Sequence, residues 1–327
     1  MSNVIKRIPE LDVFKGLAIV LVVCGHVILK NWEGALDTHP AYTWIYSFHM
    51  PLFFFISGFL IHYTFANKSA IKGLEKKALA LLVPYFVWCF LIAPFVNGSS
   101  LPTLTYVLTD THPNYWFVCL LFVFSALFYV GQMAMRGKIG ILGGAFLGFL
   151  FLGVAQYVYP CELFSRGMQF YPLYCFGVLA SIYRLNDNKR IYQEPLLSIS
   201  LVVFFICSLC YCQVDSHLLN KLYKLLSSFS ICYIALFYMH KGFLNTDSRL
   251  SKVLMYVGKN TIVIYLTHFF FVQICPFYFF SEIQPTTFWS FVISVVMAVV
   301  IIFFCLLIGR IVERFKWVNR LVYGRGW

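Results

Sequence analysis

Charge is what this sequence most lacks. Asp, Glu, Lys and Arg make up only 12% of its 327 residues, about half the roughly 25% of a soluble globular domain. Hydrophobic residues reach 61% and aromatics 20%, so composition excludes a soluble fold and gives a polytopic membrane protein. No segment between the apolar runs is long enough for a separate soluble domain, and the expectation is one integral membrane domain over 1–327. The first run carries Asp12 and Lys15 and has no small-residue cleavage site after it, which marks a retained span rather than a signal peptide. No internal repeat is evident. The glycine-rich stretch Gly137 to Gly153 lacks the Lys-Ser/Thr of a phosphate loop and reads as close helix packing. Cys207, Cys210 and Cys212 have C-x-x-C spacing but no accompanying histidine or acid, so they read as small hydrophobes.

What is present is a succession of apolar runs of the length that crosses about 30 Å of hydrocarbon. The expected fold is all-α with about ten transmembrane helices, near 11–30, 43–65, 78–97, 115–135, 139–159, 167–183, 196–212, 223–240, 256–275 and 288–309. The basic residues orient them. Twenty (Lys6, Arg7, Lys68, Lys72, Lys76, Lys77, Arg136, Lys138, Arg184, Lys189, Arg190, Lys241, Arg249, Lys252, Lys259, Arg310, Arg314, Lys316, Arg320 and Arg325) fall on one side. Four (Lys30, Arg166, Lys221, Lys224) fall on the other, and Lys15 lies in the membrane. The positive-inside rule puts both termini in the cytoplasm. The same split accounts for the net charge of +12, so no nucleic-acid partner is implied; the partner that composition demands is the bilayer.

The first span, LDVFKGLAIVLVVCGH, holds the chemistry. Eleven helical steps separate Lys15 from His26, which brings them within about 20° of one another around the helix and sets them about 16.5 Å apart along it. Asp12 falls about 40° from His26 on the same stripe. Ionisable groups within a membrane are costly and mark functional sites. The alternative is structural: Asp12 and Lys15 in the first turn can snorkel to the headgroups, and a lone intramembrane histidine can be a packing residue. In YSFHMPLFFFISGFL and GKNTIVIYLTH, His49 and His268 fall at a depth similar to that of His26. Whether the three meet laterally is not fixed by sequence. No carboxylate or cysteine accompanies them at ligand spacing, so acid–base work is favoured over a metal. Ser57 is deep and has no acid to orient a base. Asn260, Thr261, Tyr265 and Gln273 can each be interhelical hydrogen bonds only, and Trp116 with Phe117, following His112 and Asn114, reads as an interfacial aromatic belt.

Taken in order and spacing, LDVFKGLAIVLVVCGH, FHMPLFFFISGFL, the basic loop leading into LLVPYFVW, YWFVCLLF and GKNTIVIYLTH resemble the membrane-bound acyltransferase family 3, with a subgroup similar to fucose 4-O-acetylases. The resemblance runs from the first span to the ninth. It implies a multi-pass enzyme of the cytoplasmic (inner) membrane that moves an acyl group, most often acetyl from acetyl-coenzyme A, onto a hydroxyl of a sugar, glycan or other envelope molecule. Acyl-coenzyme A is then the donor substrate, and no permanently bound cofactor is implied. The family's basic residue, ten residues and histidine fall on Lys15 and His26, implied to be catalytic. Asp12, His49, Ser57, Lys76, Lys77, Trp116, Tyr265 and His268 are the candidates for donor or acceptor binding. Lys76 and Lys77 match the basic pair before the third span, whereas Ala80 stands where a second arginine is common. The competing class is a proton-coupled secondary transporter using an intramembrane His/Lys/Asp relay.

Overall fold

The structure, a computed structural model, describes residues 8–32, 39–65, 69–92, 101–104, 107, 115–183, 185, 192–211, 213, 216–241, 247–274 and 288–327. Lys6, Arg7, Lys68, His112, Asn114, Arg184, Lys189, Arg190 and Cys212 lie outside these residues. The described residues form twelve α-helices and no strand. They are α1 (Pro9–Asn31), α2 (Pro40–Phe65), α3 (Ala70–Val87), α4 (Trp116–Ala134), α5 (Gly137–Val158) and α6 (Glu162–Ile182). After these come α7 (Glu194–Cys210), α8 (His217–Lys241), α9 (Arg249–Lys259), α10 (Thr261–Ile274), α11 (Phe288–Glu313) and α12 (Lys316–Tyr323). A π-helical turn, Trp88–Ile92, continues α3.

By length and hydropathy, six of the described helices (α1, α2, α4, α5, α8 and α11) can cross a membrane. A seventh crossing arises if α9 and α10 count together, and α7 is apolar but shorter. All ten expected runs contain helix, yet the described helices support a polytopic helical membrane protein without fixing a count of ten. The run at 256–275 departs most from expectation. It is broken at Asn260, where α9 and α10 meet at 82°. There the Asn260 N–H goes to the Val257 carbonyl and closes a tighter last turn, while the Asn260 side chain bonds back to the Tyr256 carbonyl at 2.9 Å. Apolar side chains stand exposed along α5 (Phe146, Leu150, Val154) and α11 (Val299, Phe303, Leu307). Contiguous apolar surface of this kind requires a lipid neighbour.

Two compact units divide the chain, one of residues 1–56 with 183–307 and one of residues 57–182 with 308–327. In the first, α1 packs against α9, α10 and α8, and α7 packs against α8. The α1–α9 contact is made by two glycines. A Cβ on Gly16 would strike the Leu254 carbonyl, and one on Gly258 would strike the Asp12 carbonyl, so the two backbones meet without side chains between them. In a bilayer this close approach replaces the hydrophobic effect as the source of association. Ser227 and Ser228 of α8 both donate to the Ser47 carbonyl of α2, at 3.3 and 3.4 Å.

In the second unit, α4 lies against α3, α5 and α6, and α12 covers α3. Gly140, Gly144 and Gly148 of α5 face Met135, Phe128 and Tyr171 directly, whereas Gly143 and Gly153 face open space. The glycine-rich stretch is therefore a packing seam on one side of α5. Tyr171 donates to the Gly144 carbonyl at 3.0 Å, and the Ser125 and Tyr174 hydroxyls lie 3.2 Å apart. The Trp88 indole N–H donates to the Val322 carbonyl at 2.9 Å and ties α12 to the end of α3.

Candidate active site

The first unit contains the ionisable stripe. Helix α1 begins at Pro9, whose missing N–H costs nothing in a first turn, and Glu10 and Asp12 there complement the positive end of the helix dipole. Lys15 Nζ lies 2.7 Å from Asp12 Oδ1, with the lysine side chain 21% exposed and the aspartate 7%. Asp12 thus holds the ammonium in place, as the spacing of the two residues implies. The Gly258–Asp12 backbone contact fixes the same turn from the side of α9.

Eleven residues further along, His26 is half-buried in a nest of rings. Its centroid lies 5.3 Å from that of His268, 4.4 Å from Phe269 and 6.4 Å from Tyr46. Tyr46 in turn meets His49 edge-on at 4.7 Å. Phe269 covers His268 at 4.4 Å, and Tyr265, one turn back on α10, stands 6.0 Å from His268. Helices α1, α2 and α10 therefore bring together all three histidines that share a depth in the sequence, with His26 and His268 in ring contact and the Tyr46 ring a neighbour of both His26 and His49.

The three imidazoles are held differently. His49 is buried, and its Nδ1–H donates to the Ile45 carbonyl at 2.7 Å. His268 is fully buried, and its Nδ1–H donates to the Ile264 carbonyl at 3.0 Å. A carbonyl only accepts, so each ring carries a proton on Nδ1 and, as the neutral imidazole, a lone pair on Nε2. The Nε2 of His268 has no hydrogen-bond partner among the described residues, and leaving a buried acceptor unsatisfied costs about 1–3 kcal/mol. Among the described residues, no backbone carbonyl locks His26 in this way. Among the described residues, no three His, Cys, Asp or Glu side chains stand together so as to hold a metal ion.

Other candidates sit in the second unit. Ser57 is half-buried on α2, beside Gly58, whose backbone presses on the Tyr174 carbonyl. Lys76 is exposed on α3; Lys77 is half-buried, and desolvation holds its ammonium below the ordinary lysine range. Trp116 opens α4, with Phe170 stacked at 5.5 Å and the Arg166 guanidinium 4.7 Å from its ring. Arg166 is itself ion-paired with Glu162.

Sequence reasoning missed four residues of the first unit. Phe269 and Tyr46 pack on the imidazoles and were hidden among the chain's many aromatics. Lys224 of α8 lies 5.4 Å from the Tyr211 ring. Gly258 was legible only as the first letter of GKNTIVIYLTH. One signal was available for Tyr46: it stands three residues before His49, one helical turn away.

Comparison with known proteins gives a consistent assignment. The model of a family described as "Acyltransferase domain" matches residues 8–307. The nodulation protein NolL of Mesorhizobium japonicum is 25% identical over 341 aligned residues, covering 96% of this chain and 89% of that protein. The nodulation protein NolL of Sinorhizobium fredii is 29% identical over 203 residues, covering 58% of this chain and 53% of that one. No solved structure gives a significant match.

Proposed function

The chain belongs to the acyltransferase family that its residues 8–307 match, and from that premise we propose a membrane-bound O-acyltransferase that moves an acetyl group from acetyl-coenzyme A to a hydroxyl of a sugar or envelope glycan. The observation that carries the reading is the half-buried His26 in ring contact with His268, on the helix whose Asp12 holds Lys15. Imidazole both takes and returns a proton near neutral pH. Either His26 draws the proton from the acceptor hydroxyl as it attacks the thioester carbonyl, the C–S bond breaks and the proton passes to the departing coenzyme A thiolate, or His26 itself displaces that thiolate, carries the acyl group and passes it to the hydroxyl.

Charge placement in the sequence supports the donor assignment. In the expected arrangement of ten spans with both termini in the cytoplasm, Lys15, Lys76 and Lys77 each fall toward the cytoplasmic side of the inner membrane, where an anionic coenzyme would collect. Lys15 steadies its phosphates electrostatically, since about 16.5 Å of helix separates it from His26. The long pantetheine arm then carries the thioester to the imidazole in the outer half. His49, Ser57, Trp116, Tyr265 and His268 are candidates to bind donor or acceptor.

A second reading, a proton-coupled transporter, is favoured by the break between α9 and α10, because discontinuous helices line transporter binding sites. Transporters place two such helices in corresponding halves, and the described residues contain one bent pair. The test is twofold. Membranes containing the protein are expected to consume acetyl-coenzyme A, and mass spectrometry of envelope glycans with and without the gene is expected to show loss of an O-acetyl group. No acetyl-coenzyme A turnover and unchanged glycans, with proton-linked solute uptake instead, would establish the transporter.

A further inference from the structure

Among the described residues, the buried Nε2 of His268 has no hydrogen-bond partner and no backbone carbonyl locks His26, whose ring lies 5.3 Å from that of His268, centroid to centroid. A ring nitrogen stands about 1.1 Å from its centroid, so a nitrogen of each ring directed along the line of centroids would leave about 3 Å between them, which is hydrogen-bond reach. We propose that His268 is a positioning residue for His26: its Nε2 accepts the His26 N–H and thereby fixes which nitrogen of His26 presents a lone pair to the reacting groups. The inference rests on the O-acyltransferase reading above and deepens it.

Three features of the cluster support the assignment. His268 is already held in one tautomer by Ile264, so its Nε2 is an acceptor in the resting protein and needs no proton movement to serve. It is fully buried whereas His26 is half-buried, so His26 is the ring that a substrate can reach and His268 the ring that it cannot. Phe269 lies 4.4 Å from both rings and gives the pair an apolar neighbour, beside which a hydrogen bond between them gains in strength. Orientation of a catalytic imidazole by a buried acceptor on its far nitrogen is a general device of acid–base and nucleophilic catalysis. Here a neutral imidazole supplies the acceptor in place of a carboxylate, which a bilayer would penalise more heavily. His49 is locked in the same way by Ile45, but its ring neighbours Tyr46 at 4.7 Å, and among the described residues it makes no ring contact with His26.

The test compares His268→Phe and His268→Gln with the parent in nanodiscs, using acetyl-coenzyme A as donor and methyl fucoside as acceptor. Phenylalanine keeps the buried ring and its stacking but removes the lone pair; glutamine places an amide oxygen near the position of Nε2. His268→Phe is expected to lower kcat by about 10²-fold, the lower end of what a positioned acid or base contributes. Donor Kd and both KM values should stay within about threefold, and the melting temperature should match the parent. His268→Gln should recover at least tenfold of the lost kcat. Three results would overturn the proposal: kcat within a few-fold of the parent in His268→Phe, a loss in donor affinity equal to the loss in rate, or a glutamine variant no better than phenylalanine at matched stability. A parent that binds acetyl-coenzyme A but acetylates neither methyl fucoside nor isolated envelope glycans refutes the sugar-acceptor reading, and the assignment of His268 falls with it.

Discussion

Gly258→Ala is the substitution most closely determined by the packing of the first unit. A methyl group there falls on the Asp12 carbonyl, far inside contact distance, with the Gly16 amide nitrogen next nearest. Both are backbone atoms of α1, so no side chain can rotate aside, and either α9 or the first turns of α1 must move. Overpacking of this kind typically costs about 1–3 kcal/mol, which is about 5- to 150-fold in the folding equilibrium at about 1.36 kcal/mol per decade. The displaced backbone is that of Asp12, whose carboxylate holds Lys15 at 2.7 Å. Donor affinity should therefore fall along with stability. Gly143→Ala is the control, because nothing lies within 4 Å of a Cβ at that position and alanine favours helix by up to about 1 kcal/mol over glycine. Thermal unfolding in detergent can be followed by a thiol-reactive dye, since Cys24, Cys89, Cys119, Cys175 and Cys232 are free and buried. The expected order of melting temperature is Gly143→Ala at or above parent and Gly258→Ala several degrees below. Equal melting of Gly258→Ala and parent would refute the backbone contact of α1 and α9 and, with it, the account of how the Asp12–Lys15 turn is held.

Three further outcomes follow from the site and its orientation. Lys15→Gln should raise the KM or Kd for acetyl-coenzyme A while Lys15→Arg keeps much of the function; near-neutrality of both would make Lys15 a snorkelling anchor, and a fall in maximal rate at unchanged donor affinity would place it in the chemical step. Cysteines introduced at Lys72 and Arg314 should react only with reagents admitted to the cytoplasm, and one at Lys221 only with impermeant external reagents; external labelling at Arg314 would give an odd number of crossings. Desolvation holds the Lys77 ammonium below the ordinary lysine range, so its charge is present at neutral pH and is lost as pH rises, earlier than for an exposed lysine. Donor KM should rise at alkaline pH in the parent and stay flatter in Lys77→Arg, and identical profiles would remove Lys77 from the donor site.

The stripe on α1 was legible because helical periodicity is a local property: eleven residues return to the same face whatever surrounds the helix. The ion pair of Asp12 with Lys15 is local for the same reason, since residues at i and i+3 are neighbours on a helix surface. Similar depth of His26, His49 and His268 was legible from distance to the span ends, but their lateral meeting was not, since it depends on which helices pack together. That packing is set by Gly16 and Gly258, and a glycine in a membrane helix carries no periodic signal to say which backbone it will touch. The break at Asn260 was missed because the run through it is apolar enough to count as one span; the polar GKN at its start was the available sign. Locking of His49 and His268 by carbonyls four residues earlier is also local, yet choosing Nδ1 over Nε2 requires the rotamer, which the fold decides.

The central claim, that His26 performs acyl transfer, is tested most directly by acetyl transfer from acetyl-coenzyme A to a sugar hydroxyl by purified protein in nanodiscs, parent against His26→Ala. Loss of the imidazole should lower the rate by about 10²- to 10⁴-fold, with donor Kd and thermal stability close to the parent. Transfer within a few-fold of the parent at matched folding would contradict it.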